Sequence, residues 1–587
     1  MYYLDADELA ERYATTLEMQ PLKALIFDQD ISGWLRFDDP VELLSATQPD
    51  QIRTVLEQVE SRCQKGMYAV GYVCYEAAGG LDSDLVHHQI CALPLVRFGI
   101  YKNPWEGGPD PTPSPVLELE PRTSRAEFGE AIHTIKDYLR EGDSYQVNFT
   151  HRLQGACRQQ PEAVFRRLVD AQPSRYAAMI DEDDHAICSV SPELFFELDG
   201  DVIRSEPMKG TRPRGRYSDE DEDLRNELAR SAKDKAENLM IVDMIRNDLG
   251  RIATPGTVVV DEMFRVDRLP TVWQQVSSVS AKTTASFAEI FAALFPCASV
   301  TGAPKRRTME IILELESSHR GVYTGAIGLV KPGRKARFSV AIRTLVLDKN
   351  RQSATYGVGG GIVWDSDEEE EWQESLVKGE VLRQQKVEFQ LLETMRYEPG
   401  DGIWLLDLHL TRLRKSADYF GFQLSVDQIV RQLKSIRSEV PVRLRLLVSK
   451  EGGVEIEQHD LGSVPDVVRL KLAAEPVRRN DVFLFHKTTH RVVYTSALAA
   501  AGDCDDVILW NEEGELTETA ISNLYLEIDG ELFTPCVDAG LLAGTYRQMM
   551  LSDGKASEAR LTKGDLDRAE RIYISNSVRG LVPAILV

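Results

Sequence analysis

The run "SEPMKGTRPRG", residues 205–215, sets one lysine, Lys209, between a methionine and a glycine just after two strand-like runs. A solvated basic loop is one reading; a lysine kept as a nucleophile is the other. In "SDEEEEWQESLVKGEVLRQQ" (366–385), Glu371, Glu374 and Lys378 fall at i, i+3 and i+7, one face of a helix. In "SAKDKAENLMIVDMIRNDLG" (231–250), Glu237 opens an apolar stretch, and a carboxylate entering a buried helix needs a partner. Carboxylates from two helices could share Mg²⁺, a hard cation that takes oxygen ligands. The acidic run could equally be a solvated face. "YGVGGGIVW" (356–364) carries Gly357, Gly359, Gly360 and Gly361, whose bare amides could approach a carboxylate, or mark a bulge. Arg343 in "FSVAIRTL" (338–345) is a charge on an apolar strand pattern, able to pair bidentately with a substrate carboxylate or a structural one. In "DVFLFHKTTHRVVY" (481–494), Lys487 ends an apolar strand, where its amine could take a cofactor aldehyde or snorkel to water.

The elements that must position these groups follow from pattern. "SRAEFGEAIHTIKDYLREGD" (124–143) is a helix bracketed by serine and glycine. "HAICSVSPELFFELDGDVIRSEPMKG" (185–210) is two strands around Asp199-Gly200, a hairpin signal. "MYAVGYVCYEAAGG" (67–80) opens as a buried strand, and the proline-rich "NPWEGGPDPTPSPVLELEPR" (103–122) reads as an extended linker. Beyond about residue 386 the pattern turns to short strands, so a domain boundary is placed at 386–391. The 587 residues are too many for one core. A net charge of -25 argues against non-specific nucleic-acid binding, which needs a basic footprint, but leaves room for small anions held by a few arginines. Eight cysteines without a C-x-x-C suit reduced thiols in a cytoplasmic protein. No apolar run is long enough to span a membrane, and "MYYLDADELAERYATTLEMQ" lacks the features of a signal peptide. P-loop, H-E-x-x-H and G-x-S-x-G motifs are absent, as is a cysteine elbow of the glutamine-hydrolysing type.

Several segments, in order, resemble the chorismate-utilising enzymes: "GDSYQVN" (142–148), "SPELFFE" (191–197), "EPMKGTRPRG" (206–215), "AENLMIVDMIRNDLGRI" (236–252), "FPCASVTGAPKRRTMEII" (295–312), "RGVYTGAIG" (320–328), "FSVAIRT" (338–344) and "GVGGGIVWDSDEEEEWQESLVK" (357–378). The resemblance implies a large α/β sandwich of antiparallel sheets. It implies an N-terminal part over 1–115 and a chorismate-binding catalytic domain over 116–386. Within the family, "PMKGT" is similar to the aminodeoxychorismate synthase pattern P-I-K-G-T rather than the anthranilate synthase P-I-A-G-T. Lys209 would then add covalently to the ring as the hydroxyl leaves, and ammonia would displace it. Such an amine must be neutral, so burial or nearby positive charge should depress its pKa. By the same resemblance Glu193 is the acid/base, and Glu237, Glu371 and Glu374 hold Mg²⁺. Arg343, Lys378, Thr301, Tyr323 and the amides of Gly359, Gly360 and Gly361 bind substrate. Three departures stand out. "FPCAS" replaces F-P-G-G-S, Gln274 stands where anthranilate synthases carry a histidine linked to pyruvate elimination, and the tryptophan-feedback motif is not recognisable.

"HLTRLRKSADYFGF" (409–422), "LTETAISNLYL" (516–526), "GLLAGTYRQMML" (540–551) and "ISNSVRG" (574–580), taken with Lys487, resemble the fold-type IV pyridoxal-phosphate enzymes over about 391–587. Lys487 is then the Schiff-base lysine and Glu518 the carboxylate facing the pyridine nitrogen. Arg412 binds the phosphate, with amides near Gly544 and Thr545 and the loop of Asn576 and Ser577. The strands usual before "LLETMR" (391–396) look shortened. The expectation is an α+β to α/β protein that aminates chorismate with Mg²⁺, then removes pyruvate with pyridoxal phosphate to give 4-aminobenzoate for folate. A glutamine amidotransferase subunit would supply ammonia; a homodimer is compatible. Two alternatives stay open. One is an anthranilate synthase-like domain fused to an unrelated transaminase. The other is a synthase with a non-catalytic C-terminal domain.

Overall fold

The computed structural model describes residues 22–88, 93–110, 116–383, 387–462 and 465–587. The stretch read for a signal peptide and residues 111–115 of the proline-rich run lie outside them. The chain divides into two compact units: Met1–Pro213 with Arg225–Lys386, and Arg214–Leu224 with Val387–Val587.

The first unit is built on two ten-stranded antiparallel sheets. One runs through Gln146–Ala156, Ser353–Ile362, Thr344–Asp348, His185–Ser189, Ala178–Asp181 and Lys23–Asp28. The other runs through Met208–Pro213, Val272–Lys282, Val202–Glu206, Leu194–Asp199, Lys335–Val340, Ala326–Lys331 and Tyr68–Val73. Period-two alternation assigns each strand two faces. Ala24, Ile26 and Ile187 pack with Val70, Tyr72 and Leu329 in one core shared by strands of both sheets. Their neighbours Leu25, Ala186 and Cys188 join a second core with Phe165 and Leu168 of the helix Pro161–Ala171. A third core sets phenylalanines of the second sheet, Phe196 and Phe338, against Phe287 and Phe291 of the helix Phe287–Leu294. The unit is therefore a sandwich of two sheets with helices outside, as the sequence implied.

Local signals account for the helix limits. Ser124 accepts from the Glu127 amide in a capping box, and Gly142 closes the helix Arg125–Glu141 at φ 80°. Ser231 caps Ala232–Gly250, and Asp367 caps Glu368–Val377. The helix of Glu237 is not buried all round. Asn238, Ile241, Val242 and Ile245 face inward, whereas Leu239 is 47% exposed. The proline-rich run is not wholly a free linker either, because Leu117 and Leu119 are buried in the core under the first sheet.

The second unit has a four-stranded antiparallel sheet containing Leu391–Glu398 and Val442–Val448, and a mixed eight-stranded sheet. Its helix Leu406–Phe420 packs on the first of these through Leu410, Leu413 and Ala417. Among the described residues no helix is long and apolar enough to cross a membrane.

Candidate active sites

Four elements converge in the first unit. The strand Met208–Pro213 brings Lys209, the helix Ala232–Gly250 brings Glu237, and the strand Ser353–Ile362 brings the glycines. The helix Glu368–Val377 brings Glu371 and Glu374, with Lys378 at its C-cap. Lys209 Nζ stands 3.2 Å from Glu237 Oε2. Lys378 Nζ stands 2.8 Å from Glu374 Oε1 and donates to the Gly359 carbonyl at 2.7 Å. A Cβ on Gly361 would lie 2.7 Å from Lys209 Nζ and 2.6 Å from Gln146 Nε2; one on Gly360 would lie 3.1 Å from Glu371 Oε2. The glycines are thus a floor without side chains, over which an amine, an amide and carboxylates meet. The charge that Lys209 touches is an anion, not the positive neighbour the sequence reading allowed for.

The carboxylates are not equivalent. Burial, opposed by a Ser366 hydrogen bond and reinforced by Glu374, raises the Glu371 carboxyl. The Lys378 ammonium holds Glu374 low. Among the described residues no three His, Cys, Asp or Glu side chains stand close enough to hold a metal ion. The chemistry of the carboxylates suits a hard cation, since it takes oxygen ligands and Glu371 and Glu374 repel one another. Two of the three carboxylates are engaged by lysines instead.

Glu193 precedes the strand Leu194–Asp199 and is 3% exposed, with Oε1 unpartnered. Burial pushes it up to about 7, against hydrogen bonds from Ser299 and the Met208 amide and the charge of Lys209. It is a carboxyl half protonated near neutrality, beside the lysine.

Arg343 is not on a strand. Lys335–Val340 ends before it and Thr344–Asp348 begins after it, and Arg343 takes a left-handed φ of 51°. A non-glycine residue pays for that conformation, which recurs at functional sites. The kink turns its guanidinium to the Lys378 carbonyl at 2.6 Å, joining it to the cluster. Tyr323 is buried, under the Arg152 guanidinium at 5.1 Å from its ring, and a Cβ on Gly357 would strike that ring at 2.3 Å. Thr301 is fully buried. Its hydroxyl donates to the carbonyls of Cys297 at 3.1 Å and Ala298 at 3.3 Å, so it has no proton left for a substrate.

One residue of this unit was not singled out from sequence. Gln146 is fully buried with both amide atoms unpartnered, beside Lys209 across Gly361. It sits in the recognised "GDSYQVN", and nothing in its spacing separated it from strand neighbours. Gln274 accepts from Thr211 Oγ1 at 3.0 Å and donates to the Gly210 carbonyl at 2.8 Å, bracing the strand of Lys209.

In the second unit Lys487 lies past a short 3-10 turn, Val482–Leu484, and not at a strand end. Its carbonyl accepts from the Leu392 amide at 3.0 Å, which fixes its backbone to the sheet. Burial, then Arg412 and Arg491, lower its ammonium to about 8. Glu518 is buried and raised by burial to about 7; Tyr494 donates to it at 2.8 Å, the Leu542 amide at 3.1 Å and Asn523 at 3.3 Å. Arg412 donates to both oxygens of Glu393, at 2.9 and 2.6 Å, and His409 Nδ1 stands 2.6 Å from the same carboxylate. Burial opposes ionisation of Glu393, but Arg412 and His409 outweigh it and hold the group at about 2. Arg412 also reaches the Ala543 carbonyl at 3.4 Å, beside Gly544, the N-cap of the helix Thr545–Ser552. A Cβ on Gly544 would lie 2.0 Å from Asn523 Oδ1, so only glycine fits. Thr545 Oγ1 is 3.4 Å from His409 Nε2. Asn576 and Ser577 spend their side chains internally. Asn576 donates to Ser522 at 3.0 Å and accepts from the Val578 amide at 3.0 Å, and Ser577 donates to the Thr394 carbonyl at 3.1 Å. The groups present fit pyridoxal phosphate: a half-buried amine of lowered pKa, a buried carboxylate, and an arginine beside a helix N-terminus suited to phosphate.

Each unit thus carries the apparatus of an enzyme, one a lysine–carboxylate cluster over glycines, the other a half-buried lysine opposed by a carboxylate. Residues 102–384 match the chorismate binding enzyme family and residues 390–587 the amino-transferase class IV family, so the chain joins a domain of each. Anthranilate synthase component 1 1 of Haloarcula marismortui is 40% identical over 293 residues, 50% of this chain and 59% of that protein. Aminodeoxychorismate synthase component 1 of Salmonella typhimurium is 41% identical over 257 residues, 43% of this chain and 56% of that protein. The chain spans little more than half the length of these relatives. The crystal structure of anthranilate synthase component I from Streptococcus pneumoniae TIGR4 shares the fold, with a TM-score of 0.51 at 22% identity over 65% of this chain and 94% of that one. Relatives with two different names are almost equally similar, so the choice between their chemistries falls to the site residues.

Proposed function

We propose that the first unit aminates chorismate to 4-amino-4-deoxychorismate and that the second removes pyruvate from it to leave 4-aminobenzoate. The observation that carries this reading is Lys209, whose amine stands over Gly361 beside Gln146 and Glu237. Amination replaces the ring hydroxyl with an amine, so chorismate and ammonia give the amino product and water. Hydroxide leaves poorly, and a carboxyl titrating near 7, Glu193, can protonate it. Lys209, as the free amine, forms a bond to the ring as that C–O bond breaks, becoming a secondary ammonium; ammonia then bonds to the ring, the bond to Lys209 breaks, and Lys209 leaves again as the free amine. Arg343, Lys378 and the glycine amides hold the substrate carboxylates. Gln146 offers a free donor and acceptor at the reacting face. Glu237, Glu371 and Glu374 would hold Mg²⁺, which supplies electrostatic assistance to the leaving oxygen. Gln274 is occupied in bracing the Lys209 strand, which disfavours pyruvate loss in this unit.

In the second unit pyridoxal phosphate would supply an electron-withdrawing ring. Lys487 Nζ, titrating at about 8, takes the α-proton and returns one to the methylene of the departing pyruvate unit. Glu518 would face the ring nitrogen and keep it protonated. Arg412, oriented by Glu393, and the amides at Gly544 and Thr545 would bind the phosphate. Ammonia would come from a glutamine amidotransferase subunit. Incubation of the protein with chorismate, ammonium, Mg²⁺ and pyridoxal phosphate, with chromatographic identification of the aromatic product, tests the reading. 4-Aminobenzoate is expected; 2-aminobenzoate overturns it.

A further inference from the structure

Residues Arg214–Leu224 come just after Lys209 in sequence, inside the stretch matching chorismate binding enzymes, yet they pack within the second unit. Their contacts there are specific. Tyr217 stacks on Phe485 with ring centroids 5.3 Å apart, and the Arg216 guanidinium lies 5.1 Å over the same ring. Arg214 lies 4.6 Å over Tyr419, whose ring stands 4.5 Å from that of His486 and whose hydroxyl donates to the Gly215 carbonyl at 2.7 Å. Ser416 and His486 Nδ1 are 2.9 Å apart behind them. Arg216 and Tyr217 both donate to Asp538 Oδ1 at 3.1 Å. Arg214 grips Asp221 with two bonds of 2.7 Å, which folds the segment on itself. Phe485 and His486 immediately precede Lys487. The apolar cluster that Tyr217 joins also contains Tyr494, the hydrogen-bond donor to Glu518.

We infer that Arg214–Tyr217 is a positioning element of the pyridoxal-phosphate site, clamping Phe485–His486 so that the backbone of Lys487 is fixed. This rests on the assignment of Lys487 to that cofactor. The physical argument is that the backbone pairing with residues 390–392 begins at the Lys487 carbonyl, whereas the residues just before it form an irregular 3-10 turn. Stacked aromatics and cation–π contacts hold that turn on the side the sheet does not pair.

The test uses the full-length chain with Tyr217→Ala and Tyr217→Phe. Cofactor affinity is measured by titrating cofactor-free protein with pyridoxal phosphate, and the bound chromophore is titrated with pH. Tyr217→Ala is expected to weaken cofactor binding about tenfold, the effect of losing one well-packed contact, and to shift the chromophore's titration. Tyr217→Phe, which keeps the ring and loses only the bond to Asp538, should restore both. Hydrogen exchange of cofactor-free Tyr217→Ala should quicken at 482–494 while the Leu391–Glu398 strand keeps its protection. Wild-type affinity and titration in Tyr217→Ala overturn the inference, and so does exchange quickened throughout the unit. Wild-type protein that takes up no cofactor overturns the assignment of Lys487 instead, and the inference falls with it.

Discussion

In the proposed amination Lys209 and Glu193 divide the work between an amine and an acid. Lys209→Ala should lower amination by at least about a hundredfold, because the route through a bond to the ring is lost. Chorismate affinity, read by fluorescence or calorimetry, should change little, since Arg343 and Lys378 remain. Unchanged turnover would return Lys209 to the role of a basic loop residue. Glu193 yields a prediction with a definite sign. Its ordinary value is near 4.5, and burial raises it to about 7. It therefore still carries its proton at pH 6 and loses it as pH rises past 7. If it protonates the leaving hydroxyl, wild-type amination should fall on that alkaline side. Glu193→Gln should cut the rate by about 10²–10⁴-fold and abolish that limb of the profile. A full-rate variant, or an unchanged pH profile in it, removes Glu193 from the acid role. At this scale the sequence was informative about residue identity, because the family pattern carries Lys209 and Glu193 in named positions. It was silent about Gln146 and Glu393, which lie on strands where a polar residue reads as an ordinary outward position. Only burial marks them.

The strand Ser353–Ile362 and the helix Glu368–Val377 act as elements, and the glycines show how. Gly357 and Gly361 differ in what a methyl group would meet. At Gly357 it would strike the face of buried Tyr323 at 2.3 Å, so Gly357→Ala should destabilise the protein by about 1–3 kcal/mol through overpacking. At Gly361 it would meet the free ends of Lys209 and Gln146, which can swing away. Gly361→Ala should leave the melting temperature near wild type and lower amination sharply by displacing the amine. Thermal unfolding and initial rates separate the two variants; equal melting temperatures would refute the contrast. On the helix, Glu374→Gln should keep the fold and raise the Mg²⁺ concentration needed for half-maximal rate. An unaltered Mg²⁺ dependence would make the acidic run a solvated face. Helix limits were readable because caps are local chemistry: Ser124, Gly142 and Asp367 each announce an end. Arg343 and Lys487 were read as strand residues and are not. Alternation along "FSVAIRTL" cannot reveal that the chain kinks to a left-handed conformation at Arg343, since that depends on the Lys378 carbonyl it must reach. The irregular backbone at Lys487 depends likewise on partners distant in sequence, Leu392 among them.

For the whole molecule, the chemistry of the two units is consecutive, because the product proposed for the first is the substrate proposed for the second. The change of pattern past residue 386 signalled two bodies, but the packing of Arg214–Leu224 with the second could not be read from a motif belonging to the first. Tyr217 finds Phe485 only in three dimensions. This arrangement makes one variant decisive. Lys487→Ala removes the amine whose lowered pKa suits it to move the α-proton, while Lys209, Glu193 and the carboxylate cluster lie in the other compact unit. Chorismate consumption should therefore continue at close to the wild-type rate. The released product should change from 4-aminobenzoate to 4-amino-4-deoxychorismate, and the yellow colour of the cofactor-bound protein should be lost. Chromatography of the reaction, with absorbance of the purified variant, reads both. 4-Aminobenzoate made at the wild-type rate by Lys487→Ala would refute the assignment of that lysine. Accumulation of the aminated intermediate by the wild type itself would instead mean that the second unit, with its shortened approach to Leu391, does not turn over, and that pyruvate is removed by another protein.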